Sequence, residues 1–194
     1  MIAYDLIGQT PLVLLESFSD ENVKIYAKLE QFNPGGSIKD RLGKYLIEKA
    51  IDEGRLKEGD TIVEATAGNT GIGLAIASNR HKVKCIIFAP EGFAEEKISI
   101  MKALGADVRR TPKAEGMTGA QQEALAYATR YGYLYMNQFE TKDNPGAYTQ
   151  TLAKQLTDEL SHIDYFVAGV GSGGTFTGVA QHLKTYDVKN YIVE

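Results

Sequence analysis

Three short stretches carry residue types and spacings that could do chemistry. The first is NPGGSIKDRLG, residues 33–43. Ser37 stands where a helix N-cap belongs and Asp40 follows three residues later, a capping-box-like pair. Lys39 then falls in the first helical turn. The positive helix end disfavours an ammonium there by a few tenths of a kcal/mol to ~1 kcal/mol. One account is an exposed lysine that bends into water. The other is a lysine that bears a carbonyl cofactor, because the same field eases deprotonation and Schiff-base chemistry needs a neutral amine.

The second stretch is EATAGNTGIGLA, residues 64–75. Thr66, Gly68, Asn69 and Thr70 place hydroxyls, an amide and backbone donors at a helix N-terminus, which suits a carboxylate. A plain N-cap would use the same residues. Gly71, Gly73, Ala75 and Ala77 keep the helix slim for close packing. The third stretch is YFVAGVGSGGTFTG, residues 165–178. Gly171, Ser172, Gly173, Gly174 and Thr175 offer backbone N–H groups with little side-chain obstruction, just before a helix. Such a turn holds a phosphate, or it is simply a tight turn needing positive φ angles. Gly169, Gly171 and Gly174 also fit G-x-G-x-x-G, and Glu194 ends the next strand candidate. A dinucleotide-binding oxidoreductase is therefore a rival reading.

The elements around these stretches alternate. Residues 61–65, 83–89, 107–111, 133–137, 164–170 and 190–194 read as strands. Helices run from the second turn to about residue 80, over 94–105 with Gly105 as C-cap, over 118–132 closed by Gly132, over 144–160, and from the third turn to about residue 184. Strands that alternate with helices imply right-handed βαβ units, an α/β class and mostly parallel sheet. The strands are unbroken apolar runs, as expected when both faces are covered. Ligands in such sheets bind beyond the carboxyl ends of strands, where the second and third turns lie. Two anion-suited turns and one lysine call for a ligand with a phosphate, an aldehyde and a carboxylate partner. Pyridoxal 5'-phosphate carrying an amino acid meets that list.

Composition fits an ordinary globular chain. The 194 residues are 43% hydrophobic and 24% charged, with a formal net charge of −4, so nothing points to nucleic acid or an anionic membrane as partner. The single cysteine, Cys85, lies in an apolar run and reads as a buried thiol. His81, His162 and His182 lack metal-ligand spacing, so no metal is expected. No apolar run approaches the ~18 residues of a membrane span, and no basic leader opens the chain. A cytoplasmic location is the expectation.

Taken together, NPGGSIKDR, EATAGNTGIGLA, GMTGA, NQF and GVGSGGTFTG resemble, in order and spacing, the cysteine synthase and cystathionine β-synthase family. These are pyridoxal-phosphate enzymes of the tryptophan synthase β fold type, fold type II. The resemblance implies that Lys39 carries the cofactor as a Schiff base and acts as base and acid at the substrate Cα. It implies that Asn69 hydrogen-bonds the cofactor ring oxygen and that Gly171 to Thr175 bind its phosphate. Thr66, Gly68, Asn69 and Thr70 would hold the substrate carboxylate, with Gln138 assisting. The implied reaction is β-replacement on O-acetylserine or serine through an aminoacrylate, with homocysteine or sulfide as nucleophile. Ala67 departs from the T-S-G-N-T loop of much of the family. That change and PEGFAEEKISIMKALGADVRRTP are more similar to bacterial O-acetylserine-dependent cystathionine synthases, with cysteine synthase activity as the alternative. The implied layout has residues 1–37 and 145–194 in a large domain, residues 38–144 in a small mobile one, and a homodimer. Family chains run past Glu194, so the large domain and cofactor pocket are expected to be incomplete here and the fragment alone inactive. A non-catalytic truncated module is the third reading.

Overall fold

The computed structural model describes residues 2–193. Strands β1 (Leu12–Leu14) and β2 (Tyr26–Lys28) come first and pair antiparallel, with Val13 opposite Ala27. At three residues each they are too short to leave a periodic signature, which is why the alternation read from the sequence begins only later.

The main sheet is built between helices α1 (Lys39–Asp52) and α4 (Gly116–Tyr131). Between them lie β3 (Thr61–Ala65), α2 (Asn69–Arg80), β4 (Lys84–Pro90), α3 (Glu95–Ala103) and β5 (Asp107–Thr111), and β6 (Leu134–Tyr135) follows α4. The order is β5-β4-β3-β6 and every pairing is parallel. Side chains of β3 alternate between two cores. Ile62 packs with Leu42, Ile47 and Leu74 under α1 and α2, while Val63 and Ala65 pack with Ala120 and Ala124 of α4. Both faces are thus covered, and β3 is buried from end to end. Gly105 and Gly132 take positive φ at the ends of α3 and α4, as C-caps do.

Helices α1 and α2 cross where neither carries a side chain. A Cβ on Gly43 would collide with the backbone of Gly73, and one on Gly73 with the carbonyl oxygen of Lys39. The slim α2 therefore lets the second turn approach the start of α1 closely.

Residues 144–160 do not form the single helix that their pattern predicts. Helix α5 (Asp143–Tyr148) runs into a π-helical turn at Thr149–Ala153 and then α6 (Lys154–Glu159). Thr149 donates its hydroxyl to the carbonyls of Pro145 and Gly178, and Thr151 donates to Ala147. Such back-bonding competes with the helical ladder and widens it locally. Last come β7 (Tyr165–Gly169), α7 (Gly174–Leu183) and β8 (Lys189–Val193), with Val167 opposite Tyr191 in a parallel pair. Here the expectation of two covered faces fails: Tyr165, Val167, Tyr191, Ile192 and Val193 are exposed. Glu194, the acidic residue of the dinucleotide reading, lies outside the described residues.

Candidate active site

Lys39 opens α1, but not behind the expected capping box. The residue before the helix is Ile38, and the Ser37 hydroxyl accepts from the Lys39 backbone N–H at 3.1 Å. Asp40 does not reach back to Ser37. Its carboxylate takes the N–H of Gly35, pinning the loop that leads into the lysine, and burial pushes it up to about 6. The two flanking side chains hold the loop rather than cap the helix.

The Lys39 side chain is directed across the fold. Its Nζ lies 3.5 Å from the Tyr148 hydroxyl and 3.4 Å from Ser172 Oγ, both at the outer limit of hydrogen bonding. Burial holds the amine below the usual lysine value. Tyr148 is fully buried and burial pushes its phenol up to about 12, with the Thr175 hydroxyl opposing the shift. The lysine thus faces two neutral hydroxyls and no charged partner.

The second turn joins β3 to α2. The Thr66 N–H pairs with the Phe88 carbonyl at 2.9 Å, extending the sheet one residue into the turn. Its hydroxyl accepts from the Gly68 N–H at 3.2 Å. Thr70 donates its hydroxyl to Gln138 Oε1 at 2.6 Å, with both residues buried. Ala67 packs against the core beneath. Asn69 is half-buried and its side chain makes no hydrogen bond among the described residues, leaving the amide available.

The third turn joins β7 to α7. Gly173 caps α7 at φ +81, a conformation other residues rarely adopt, so the tight-turn requirement is real. Gly171 is exposed and nothing would meet a Cβ there, whereas a Cβ on Gly174 would collide with the Asn144 amide. The backbone N–H groups at the head of α7 stand open on one side and are packed tightly on the other.

Buried polar side chains tie the two turns together. Asn144 Nδ2 donates to the Gln138 carbonyl at 2.7 Å and to Ser172 Oγ at 3.1 Å. Glu64, fully buried at the end of β3, accepts from the N–H groups of Ala65 at 2.7 Å and Gln138 at 3.0 Å. Burial without a cation pushes its carboxyl up to about 7. The chain of contacts therefore runs from Glu64 through Gln138 and Asn144 to Ser172 and Lys39. Sequence reasoning named Gln138, Ser172 and Lys39 but missed Glu64, Asn144 and Tyr148. An acid inside an otherwise apolar strand was the one visible signal among those three.

The remaining candidates lie elsewhere. Cys85 is buried and its thiol is pushed up to about 12 by burial. His81 sits 3.2 Å from the Tyr4 hydroxyl, His162 3.0 Å from Asp164 and His182 3.1 Å from Thr157, three separate surroundings. Among the described residues, no helix is long and apolar enough to cross a membrane.

The family described as pyridoxal-phosphate dependent enzyme matches residues 3–194. The chain is 50% identical over 195 residues to the O-acetylserine dependent cystathionine beta-synthase of Bacillus subtilis (strain 168), covering 98% of this chain and 64% of that protein. It is 48% identical over 189 residues to a cysteine synthase of Helicobacter pylori (strain ATCC 700392 / 26695), covering 93% of this chain and 60% of the relative. The crystal structure of an O-acetylserine dependent cystathionine beta-synthase from Helicobacter pylori superposes with a TM-score of 0.93 at 45% identity, over 100% of this chain and 67% of the other. The chain thus spans less than two thirds of the length of these two curated relatives.

Proposed function

The chain belongs to the pyridoxal-phosphate dependent enzyme family, and from that premise we propose that it serves β-replacement on an amino acid with a leaving group at Cβ. O-acetylserine is the donor of choice, with serine second. Homocysteine is the nucleophile of choice, and sulfide, giving cysteine, is the alternative. A dinucleotide-binding oxidoreductase leaves the lysine and the second turn without a role.

The residues fit the cofactor. A buried amine of lowered basicity suits an aldehyde, and the open backbone donors of Gly171 to Thr175 at the head of α7 suit a phosphate. When bound, the cofactor supplies an electron sink for negative charge at the substrate Cα. The protein supplies the rest. Lys39 bears the cofactor, and its Nζ gives and takes the proton at Cα. Thr66, Gly68, Asn69 and Thr70 would hold the substrate carboxylate, with the Asn69 amide also available to the cofactor ring oxygen. Gln138, fixed by Thr70 and Glu64, closes that side.

Residues 1–37 with 145–194 form the large domain in this reading, and residues 38–144 the small one. The split leaves the four-stranded sheet whole in the small part and β7 with β8 in the large. The assembled enzyme is a homodimer.

The observation that carries the reading is the position of Lys39 Nζ, 3.4 Å from Ser172 in the third turn while its own backbone abuts α2. Steady-state assays of the native protein with O-acetylserine or serine against sulfide or homocysteine test it. Turnover with O-acetylserine and homocysteine is expected; preference for serine would overturn the donor assignment, and absence of turnover with every pair would overturn the reading.

A further inference from the structure

Tyr148 has no part in the residue set so far, yet its hydroxyl is one of only two side-chain groups hydrogen-bonded to Lys39 Nζ among the described residues. It is fully buried, and it is the last residue of α5 before the π-helical turn. A π turn is an unfavourable irregularity that recurs at functional sites. Here it follows the residue whose hydroxyl meets the lysine.

The polarity of the contacts can be worked out. The Ser172 oxygen already accepts from Asn144 Nδ2. The Thr175 hydroxyl favours negative charge on the Tyr148 oxygen, which strengthens the phenol as a donor. Among the described residues Lys39 Nζ is the one hydrogen-bond partner of the Tyr148 hydroxyl, so the phenol hydrogen turns toward it. A neutral amine has one lone pair to receive it, and an ammonium has none. We propose that Tyr148 is a positioning residue for Lys39, its hydroxyl donating to the Nζ lone pair so that the amine is held neutral and aimed when it is free of cofactor.

No charge competes for this role. Burial alone lowers the Lys39 amine, Asp40 turns away to Gly35, and Glu30 and Arg41 pair with each other while acting on Tyr148 in opposite directions. The phenol stays protonated far above neutrality, so the donor is always present.

The inference rests on the reading of Lys39 as the cofactor-bearing lysine, but its test does not require cofactor. Competitive acetylation of the cofactor-free protein, resolved by peptide mass spectrometry against exposed Lys82, gives the pH midpoint of Lys39 reactivity. In Tyr148→Phe the midpoint is expected to rise by about half to one pH unit, the value of one net hydrogen bond. Thr175→Val, which removes the hydroxyl that strengthens the phenol as a donor, is expected to raise it by less and carries the test if the phenylalanine variant fails to fold. An unchanged or lowered midpoint in a folded variant overturns the proposal. Adding pyridoxal phosphate to the unmodified protein then separates the two readings. A raised midpoint in the variants without long-wavelength absorbance on addition keeps Tyr148's effect on Lys39 and sinks the cofactor.

Discussion

The two strand-to-helix turns solve different problems with the same elements. The turn at residues 66–70 is fixed by side chains. Thr66 ties to Gly68, Thr70 to Gln138, and Glu64 anchors the backbone on both sides. The turn at residues 170–175 is fixed mainly by backbone, with a positive φ at Gly173 and Gly174 pressed against Asn144. A carboxylate, the ligand proposed for the 66–70 turn, needs a few placed donors. A phosphate needs a ring of N–H groups with nothing in front of them. The 66–70 turn should therefore respond to side-chain changes, and the 170–175 turn to a Cβ added at Gly173 or Gly174.

Gly174→Ala should have the largest effect of the substitutions in the turns, because the new methyl meets a buried amide that cannot leave. A loss of about 1–3 kcal/mol in chemical denaturation and a large drop in pyridoxal phosphate affinity are expected. Gly71→Ala is the control in the first turn of α2, just past the other strand-to-helix turn. Its methyl meets chiefly the flexible end of Met101, with the Thr66 methyl at 3.0 Å, so the loss should be smaller. Equal losses would break the comparison.

Glu64→Gln comes next. An amide NH₂ replaces one oxygen that accepts a backbone N–H, so about 1–3 kcal/mol should be lost at low pH, where the folded carboxyl is protonated and uncharged, with KM for the amino acid raised. The pH dependence sharpens this. The folded protein holds the Glu64 proton up to about 7, while the unfolded chain releases it near the ordinary carboxylate value of 4.5. The unfolded state thus binds fewer protons between those pH values, and the wild type should lose stability relative to the glutamine variant as pH rises through that window. Denaturation at pH 5 and pH 8 checks it; a difference that does not move assigns Glu64 an ordinary pKa. Ala67→Ser should do least, lowering KM for the amino acid by about 2- to 10-fold with stability unchanged.

Much of this was legible in the sequence, and the missing parts share a cause. The strands of the main sheet and the turns after β3 and β7 were visible because periodicity and glycine placement are local signals. The slim face of α2 was visible too, and Gly73 meets the backbone of α1 as expected, while Gly71 faces Met101 of α3. Tyr148 was invisible because its partner lies 109 residues away, and the contact exists only once α5 packs against α1. Asn144 was read as part of a helix start beside Pro145, yet its amide bridges Gln138 and Ser172. The π turn arose from threonine hydroxyls competing with a ladder that propensity alone would continue. Lys39 was found for an incomplete reason: the helix end drew attention, while burial does what the account requires.

The central claim is that Lys39, where the two turns meet, bears the cofactor. The native protein is loaded with pyridoxal phosphate, reduced with borohydride, digested and mapped by mass spectrometry. The account predicts the pyridoxyl group on Lys39 and its loss in Lys39→Ala, together with at least about 100-fold of any β-replacement activity. A pyridoxyl group on another lysine of the wild type, or on none, would contradict it.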